Sequence, residues 1–279
     1  MVVVVYMQIL ECKYIKEKEI LKLKELVKQN LTLAVIQIGN FKENDLYLRS
    51  KKRLAQELGI EIIEFLYQES NSKEEIIHKI LELNLDNHIN GIMIQKPILE
   101  KFDYQELVDY IVDRKDIDGV TTVNQERIKN NQEAIIPCTV RSLLKVLEEY
   151  QVPLKNRKIV IVGKSNLIGM PLYHILKREN HVILCDSKTE NLKEKIKESE
   201  IVITAIGKAN YFDETYFKDG QIVIDVGTNY INQTLVGDVY FESVKDIVSM
   251  ITPVPGGIGQ LTSIYLFWNL LDIKLRMEK

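Results

Sequence analysis

Four polar side chains have types and spacings that suit proton chemistry. Tyr47 and Lys51 are four residues apart in a segment with helical spacing, so a phenol and an amine share one helix face. Gln95 ends a buried strand pattern, and Asp118 stands in a turn just before Gly119. Phenols, amines, amides and carboxylates can hold protons or donate and accept hydrogen bonds. Each also has a structural explanation, as a surface pair, a strand cap or a turn residue.

The segment KIVIVGKSNLIGMP is predicted to form a strand, a turn and a helix. It lacks the complete G-x-G-x-x-G pattern, because Ser165 stands where the second glycine would be. Gly163 still permits a tight turn, and Gly169 permits close packing of the helix, whose N-terminal N–H groups favour a pyrophosphate. The segment therefore predicts dinucleotide binding, with a plain strand-to-helix turn as the alternative.

The end of the next predicted strand carries conflicting signals for the type of dinucleotide. Asp186 would bond the ribose 2′-hydroxyl of NAD and repel the 2′-phosphate of NADP. Ser187, Lys188 and Lys164 could instead hold that phosphate. Both interpretations stay open at this point.

Further turns are predicted to contact ligands. Gly207 and Thr228 follow the ends of two later strands, and ligands of open α/β sheets bind beyond the carboxyl ends of strands. Pro255, Gly256 and Gly257 stand in an apolar turn between a strand pattern and a helix pattern. A rigid, glycine-lined turn can bring backbone close to a flat ligand. A tight connection without a ligand is the alternative.

Short apolar strands alternate with amphipathic helices along both halves of the chain, which is typical of parallel α/β units. Predicted strands are residues 33–38, 60–66, 91–94, 158–162, 181–185, 201–205 and 221–226, and predicted helices are residues 45–58, 72–83, 103–112, 139–150, 169–177, 191–199 and 259–275. Ser72 and Glu75 have the spacing of a capping box. The strongly apolar last helix must be buried, and we expect it to fold back onto the first block. Residues 1–10 are predicted to form a buried first strand or arm.

Composition and charge argue against several classes of protein. The 279 residues are 46% hydrophobic and 28% charged, with a net charge of −3, which is ordinary for a globular protein. This balance gives no electrostatic basis for binding nucleic acid or a membrane. The three cysteines and four histidines form no metal-ligand pattern. Scattered cysteines, with no cleavable signal pattern at the start, predict a cytoplasmic protein.

Eight motifs follow one another in order over nearly the whole chain. They are Tyr47-x3-Lys51, Gly91-Ile92-Met93-Ile94-Gln95-x-Pro97, Lys115-Asp116-Ile117-Asp118-Gly119, Pro137-Cys138-Thr139, Gly163-x-Ser165 through Gly169-x-Pro171, Val223-Ile224-Asp225-Val226-Gly227-x-Asn229, Gly237-Asp238-Val239 and Thr252-Pro253-Val254-Pro255-Gly256-Gly257-Ile258-Gly259. Together they resemble the bifunctional methylenetetrahydrofolate dehydrogenase/methenyltetrahydrofolate cyclohydrolase family.

The resemblance implies two α/β domains with a cleft between them, the second domain being a Rossmann-like parallel sheet. Residues 1–137 plus 259–279 would form the folate-binding catalytic domain, and residues 138–258 the dinucleotide-binding domain. It implies NADP as cofactor, with NAD possible because of Asp186. It further implies tetrahydrofolate one-carbon derivatives as substrates, a homodimer, and a role in one-carbon metabolism and purine biosynthesis.

The resemblance also implies roles for individual residues. Hydride would pass from the methylene bridge of the folate to the nicotinamide, and water would then open the methenyl cation to 10-formyltetrahydrofolate. Lys51 would be the main proton-transfer residue, held in place by Gln95. Tyr47 would stack on or bond near the pterin and p-aminobenzoyl rings, and Asp118 would accept hydrogen bonds from the pterin amino edge. Residues 255–257 would form the wall beside the folate.

Some positions depart from the family pattern. Lys164 stands where arginine is usual, Lys96 where leucine is usual, and residues 260–261 alter the last loop. Lys96 would either depress the pKa of Lys51 or point to solvent. These departures bear on cofactor preference and on the rate of hydrolysis. A monofunctional NAD-linked dehydrogenase, favoured by Asp186 and Lys164, and a non-catalytic dinucleotide or folate sensor are the alternatives.

Overall fold

The computed structural model describes residues 7–277, except for the side chains of residues 43, 45–47 and 277. The chain divides into two compact units, each built from more than one stretch of sequence. The six-strand unit comprises Met1–Glu17 and Thr139–Thr262, and the three-strand unit comprises Lys18–Cys138 and Ser263–Lys279. Each unit is named after its parallel sheet.

Strands and helices alternate along most of the described chain. The strands are β1 (Gln8–Ile9), β2 (Leu31–Ile38), β3 (Ile60–Tyr67), β4 (Gly91–Gln95), β5 (Lys158–Val162), β6 (His181–Cys185), β7 (Ile201–Thr204), β8 (Ile222–Asp225), β9 (Asn229–Ile231), β10 (Thr234–Val236) and β11 (Met250–Ile251). The helices are α1 (Lys13–Leu26), α2 (Lys42–Leu58), α3 (Lys73–Leu85), α4 (Tyr104–Val108), α5 (Thr122–Lys129), α6 (Cys138–Glu149), α7 (Gly169–Leu176), α8 (Leu192–Glu198), α9 (Phe241–Val244) and α10 (Thr262–Met277). Among the residues described, no helix is long and apolar enough to cross a membrane.

The three-strand unit has a parallel sheet in the order β3-β2-β4. Every residue of the central strand β2 is buried, which is typical of a parallel strand covered on both faces. Gln37 pairs with Gln95, so Gln95 stands at the carboxyl end of the sheet. The predicted capping box is confirmed: the Ser72 hydroxyl accepts from Glu75 N at 3.2 Å, and the Glu75 carboxylate accepts from Ser72 N at 2.9 Å.

The six-strand unit has a parallel sheet in the order β1-β11-β8-β7-β5-β6. Val162 pairs with both Cys185 and Thr204, and Thr204 pairs with Asp225, so four strands end at one edge. The chain adds β6 on one side of β5 and then adds β7 on the other side. The direction in which strands are added therefore reverses between β5 and β7. Ligands of doubly wound sheets bind at such a switch point. The predicted α/β class with a Rossmann-like second sheet is confirmed.

The start of the chain differs from the predicted division into domains. Residues 1–6 of the predicted first strand lie outside the described residues. Gln8 pairs in parallel with Met250 and Ile9 with Ile251, so β1 belongs to the six-strand sheet and not to the first block. Both β1 side chains are exposed, and only the following Leu10 is buried. The pairing partner is more than 200 residues away, and local sequence patterns carry no signal for it.

The C-terminal helix folds onto the three-strand unit, as predicted. The Asn269 amide of α10 donates to the Ile117 carbonyl at 2.8 Å. A Cβ atom placed on Gly91 of β4 would lie 2.2 Å from Ile117 Cγ2 and 2.7 Å from Leu270 Cδ1, so a side chain there would displace both neighbours. The helix begins at Thr262, three residues later than predicted, because Ile258–Gln260 forms a 3-10 turn.

Candidate active site

Lys51 and Gln95 form the first contact of the candidate site. Lys51 lies on α2 and Gln95 at the end of β4, and Lys51 Nζ donates a hydrogen bond to Gln95 Oε1 at 2.6 Å. The Gln95 side chain is only 7% exposed, and its Nε2 donates to the Lys96 carbonyl at 2.8 Å. Because both ends of the amide are engaged, Gln95 holds the lysine amine at a fixed position.

The Lys51 amine has a changed proton affinity. Burial lowers the pKa of Lys51 below its ordinary value, and the negative charge of Asp118 partly opposes this shift. A lysine with a lowered pKa gives up its proton more easily than one in water, which suits proton transfer near neutral pH.

Asp118 is the acidic member of the same cluster. A parallel bridge between Ile92 and Asp116 carries the segment that ends in Asp118 alongside β4. Burial raises the pKa of Asp118 to about 6, the nearby Lys51 ammonium opposes this effect, and the charge of Asp116 adds to it. Asp118 is therefore mainly a carboxylate at neutral pH, and an ionised carboxylate is an acceptor only.

Two residues that the sequence interpretation did not place in the site hold Asp118. The Cys138 thiol donates to Asp118 Oδ1 at 3.6 Å and to the Ile117 carbonyl at 3.5 Å. Asn269 Nδ2 donates to the Ile117 carbonyl at 2.8 Å, to the Ile136 carbonyl at 3.0 Å and to Cys138 Sγ at 3.5 Å. The signal in the sequence was an amide within the apolar run LFWNLL, because a buried amide needs hydrogen-bond partners.

Lys96 brings a second amine towards the cluster. Its Nζ lies 3.7 Å from the centroid of the Tyr104 ring, in a cation–π contact. Burial lowers the pKa of Lys96, while the charge of Asp118 raises it. Lys96 thus lies over an aromatic ring, and Asp118 feels the charges of both Lys96 and Lys51. The backbone of Tyr47 lies in α2, but its side chain is outside the described part of the structure.

The glycine turn of the six-strand unit has the predicted geometry. Gly163 has φ +120°, a backbone conformation that favours glycine. A Cβ atom on Gly169 would lie 1.8 Å from the Gly163 carbonyl oxygen, so a side chain has no room there. The Ser165 hydroxyl accepts from Ile168 N at 3.2 Å, and Ile168 itself gives α7 no side-chain cap. Met170 N donates to the Ser165 carbonyl at 3.0 Å and Pro171 has no N–H, so Gly169 N is the donor that the first turn of α7 offers to an anion.

Asp238 organises the turn that follows β7. Its carboxylate is fully buried and accepts from Ile206 N at 2.6 Å, Gly207 N at 3.2 Å and Lys208 N at 2.8 Å. It also accepts from the Asn229 side chain at 3.0 Å. Three successive backbone N–H groups thus point at one carboxylate, which fixes the turn that contains Gly207.

Asp225, at the end of β8, organises the neighbouring turn. It accepts from Gly227 N at 2.9 Å, from Asp238 N at 3.1 Å and from Val239 N at 2.9 Å. Burial raises the pKa of Asp225 to about 6, and the charge of Asp238 contributes. Thr228 follows Gly227 directly and is exposed. The two aspartates therefore join the turns in which the predicted cofactor contacts stand.

The Asp186 carboxylate is directed into its own loop. Asp186 Oδ1 accepts from Lys188 N at 2.9 Å and from the Thr189 hydroxyl at 3.3 Å. The hydrogen bond from Lys188 N is the main cause of its lowered pKa, and the positive charge of Lys164 contributes. Ser187, Lys188 and Lys164 are exposed around it. Local hydrogen bonds and two lysine side chains thus offset the charge that would repel a 2′-phosphate.

The predicted folate wall lies in the six-strand unit. The Val254-Pro255 peptide bond is cis, and Gly256 has φ +114°. The Gly256 carbonyl accepts from Cys12 N at 2.9 Å, and a Cβ atom on Gly257 would lie 2.5 Å from the Pro253 carbonyl oxygen. A hydrogen bond and a close backbone approach thus hold this turn, while its contact with a folate stays a prediction.

These features define a class of protein, namely two-unit α/β enzymes that use a dinucleotide. Family models match both parts of the chain: the tetrahydrofolate dehydrogenase/cyclohydrolase catalytic domain over residues 10–118, and the NAD(P)-binding domain of the same family over residues 137–278. The chain belongs to the tetrahydrofolate dehydrogenase/cyclohydrolase family. The family and the enzyme class predicted from the sequence are confirmed, and so is a nicotinamide dinucleotide as cofactor.

Individual relatives agree with this assignment. The bifunctional protein FolD of Clostridium perfringens is 37% identical over 243 residues, which cover 87% of this chain and 88% of that protein. Bifunctional protein FolD 2 of Lactobacillus johnsonii is 39% identical over 251 residues, 89% of each chain. The crystal structure of the bifunctional methylenetetrahydrofolate dehydrogenase/cyclohydrolase of Campylobacter jejuni has a TM-score of 0.93 at 32% identity, covering 97% of this chain and 99% of that one.

Proposed function

We propose that this protein oxidises 5,10-methylenetetrahydrofolate to 5,10-methenyltetrahydrofolate with NADP and then hydrolyses the product to 10-formyltetrahydrofolate. The observation that carries the proposal is the cluster of Lys51, Gln95 and Asp118 within one unit. In the first step the methylene carbon gives up a hydride, which NADP accepts when bound. In the second step water adds to the methenyl carbon and loses one proton, which leaves a hydroxyl on that carbon. The hydroxyl then loses its own proton as the C=O bond forms and the C–N5 bond breaks; N5 takes up one proton, and the other goes to solvent.

Lys51 is the proposed proton carrier of the hydrolytic step. Its lowered pKa allows the amine to take a proton from the attacking water and return it to N5. The 2.6 Å hydrogen bond to Gln95 keeps the amine in place through both transfers. Asp118 is proposed to accept hydrogen bonds from the pterin amino edge, and Tyr47 to lie against the rings. Residues 255–257 are the proposed wall of the same site.

The proposed cofactor site lies at the switch point of the six-strand sheet. Gly163 and Gly169 permit the backbone to approach a pyrophosphate at the start of α7, and Ser165 shapes this turn. Gly207 and Thr228 are the proposed contacts in the turns held by the two buried aspartates. Together these residues support the proposal of a dinucleotide bound beyond the carboxyl ends of the strands.

A direct assay tests the overall proposal. Purified protein, methylenetetrahydrofolate and either NADP or NAD are combined, and formation and decay of the methenyl absorbance are followed. Formation with decay faster than the uncatalysed rate supports both activities. Formation without accelerated decay supports the monofunctional dehydrogenase, and absence of methenyl absorbance with both dinucleotides contradicts the dehydrogenase.

We expect Lys164→Ala to lower kcat/KM with NADP by about tenfold or more while leaving kcat/KM with NAD nearly unchanged. The reason is that a charge-assisted contact to the 2′-phosphate contributes roughly 1.5–3 kcal/mol, and NAD lacks that phosphate. Steady-state kinetics with both dinucleotides measure the effect. The matched control is Lys197→Ala, which removes an exposed lysine on α8. An equal loss with NAD and NADP would refute this role of Lys164.

We expect dehydrogenation to weaken as the pH falls through the Asp118 transition. The pKa of Asp118 is raised to about 6, so the carboxylate that accepts hydrogen bonds from the pterin is present above that pH and protonated below it. The wild-type profile of kcat/KM should therefore fall on the acid side of about pH 6. Asp118→Asn, measured in the same buffers, should have lower activity and no such acid limb. An unchanged acid limb in Asp118→Asn would assign the transition to another group.

Several wider expectations stay proposals. A homodimer is supported by the β9–β10 hairpin, on which Tyr230 and Ile231 are exposed large side chains.

Cys12, Cys138 and Cys185 are buried, and none of them is in a disulfide, which supports a reducing, cytoplasmic location. We also propose that the three-strand unit binds folate and that the six-strand unit binds the dinucleotide. We further propose that the protein supplies one-carbon units for purine biosynthesis and that it does not bind nucleic acid.

A further inference from the structure

The three-strand unit contains a cavity of about 570 Å³ that the proposed reaction does not use. Its size falls in the range of small-molecule sites, roughly 300–1,000 Å³. Neither Lys51 nor Asp118 lines it, whereas Arg114, Arg127 and Arg276 do. Arg276 lies seven residues beyond Asn269 on α10, which corresponds to about 10 Å along a helix axis. The cavity therefore lies away from the cluster around Asp118, and we name it the arginine cavity.

Two of the three arginines are paired with carboxylates in the cavity wall. Arg127 Nη1 lies 2.5 Å from Asp113 Oδ2, and Arg276 Nε lies 3.1 Å from Glu133 Oε1. Both pairs are partly exposed, and the Glu133 side chain is 76% exposed. Such ion pairs contribute only about 0–1 kcal/mol each. An incoming anion can therefore replace either carboxylate at low cost.

The third arginine has no such partner. Within the described part of the chain, Arg114 makes no ion pair and no hydrogen bond to another side chain, and it is an exposed residue of the cavity lining. Arginine presents a planar fork of N–H donors that matches carboxylate and phosphate groups. Three guanidinium groups against two carboxylates leave the lining with one excess positive charge.

The inner wall of the arginine cavity is ordered. Asn124 is fully buried; its Nδ2 donates to Asp116 Oδ2 at 2.8 Å, and its Oδ1 accepts from Ile135 N at 3.1 Å. Ile135 and Ile273 add buried apolar surface to the lining. This wall can pack against a carbon skeleton, while the arginines of the lining can bind charged groups.

We propose that the arginine cavity binds a small organic polyanion with at least two carboxylate or phosphate groups. One acidic group of the ligand binds Arg114. A second acidic group displaces either Asp113 from Arg127 or Glu133 from Arg276. No covalent step is involved. The proposal is independent of the folate reaction, because binding is measured without folate or dinucleotide.

Isothermal titration calorimetry of the full chain with citrate and with succinate, at low ionic strength, tests the proposal. We expect saturable binding of at least one probe by the wild-type protein, and a Kd at least about tenfold higher for Arg114→Ala, because a hydrogen bond to a charged group is lost. Arg127→Ala should weaken the same probe. The matched control is Arg53→Ala, which removes an exposed arginine of α2 in the same unit.

A second control separates the arginine cavity from the dinucleotide site. Lys164→Ala should leave the binding of the probe unchanged, since Lys164 belongs to the six-strand unit. The proposal is overturned if neither probe binds saturably, if Arg53→Ala weakens binding as much as Arg114→Ala, or if Lys164→Ala abolishes binding.

Discussion

Replacing Lys51 with methionine is expected to lower the rate of methenyl hydrolysis by a factor of roughly 10²–10⁴, the range for loss of a general acid–base group. Methionine has a similar length and keeps the apolar contacts of the lysine stem, but it has no proton to transfer. Gln95 Oε1 would also lose its 2.6 Å donor. The decay of methenyl absorbance, with the uncatalysed rate subtracted, measures the effect.

The neighbouring lysine provides a matched control. Lys52 is 48% exposed and pairs with Glu64, so Lys52→Met makes the same chemical change one residue away and should leave hydrolysis unchanged. Circular dichroism melting curves of both variants show whether the fold is retained. Hydrolysis by a folded Lys51→Met variant at the wild-type rate would refute the proton-transfer role.

Replacing Asp238 with alanine is expected to destabilise the six-strand unit by roughly 3–5 kcal/mol, because each buried donor left without a partner costs about 1–3 kcal/mol. Ile206 N, Gly207 N and Lys208 N all donate to this fully buried carboxylate. We also expect weaker binding of the dinucleotide, since Gly207 stands in the turn that would loosen. Urea unfolding followed by circular dichroism gives the free energy of unfolding, and cofactor titration gives the Kd.

Asp246 is the control for the loss of an aspartate from the same unit. Asp246 is exposed, so Asp246→Ala should change the free energy of unfolding by no more than about 0.5 kcal/mol. If Asp238→Ala unfolds at the same urea concentration as Asp246→Ala, the proposed network contributes little. A stable Asp238→Ala protein with unchanged cofactor affinity would contradict both parts of the prediction.

Strong local signals allowed parts of the fold to be predicted closely. β5 and β6 have the predicted bounds, because apolar, β-branched runs are closed by a glycine turn and by a polar loop. The Ser72 capping box was visible as a pair of residues three apart. Helix α4 ends at Val108, four residues before its predicted end at residue 112. The apolar spacing continues beyond Val108, and Leu107 and Ile111 are both buried although the helix has ended.

Other elements had no clear local pattern. α1 is rich in lysine and glutamate and its apolar residues do not define one face, so periodicity did not reveal a helix. The pairing of β1 with β11 depends on residues more than 200 positions apart. Spacing within a segment cannot report such a contact.

In the candidate site, too, some contacts were predicted from the sequence and others were not. Lys51 and Gln95 were expected to meet, and the hydrogen bond between them is present. The roles of Asn269 and Asp238 depend on how separate segments converge, and neither residue was assigned a function from the sequence. The sequence left open whether the Asp186 carboxylate faces the 2′-position of a dinucleotide. Residue types alone could not predict its hydrogen bonds with Lys188 N and the Thr189 hydroxyl.

The order in which the chain crosses between the two units has a consequence for its biosynthesis. The first strand completes the sheet of the six-strand unit by pairing with β11, and α10 completes the three-strand unit. Asn269, which donates to the Ile117 carbonyl beside Asp118, is synthesised 152 residues after Ile117. The turn that contains Asp118 therefore reaches its final position only after α10 has been synthesised, and a nascent chain that stops before α10 would expose the apolar surface around Gly91 to chaperones and proteases.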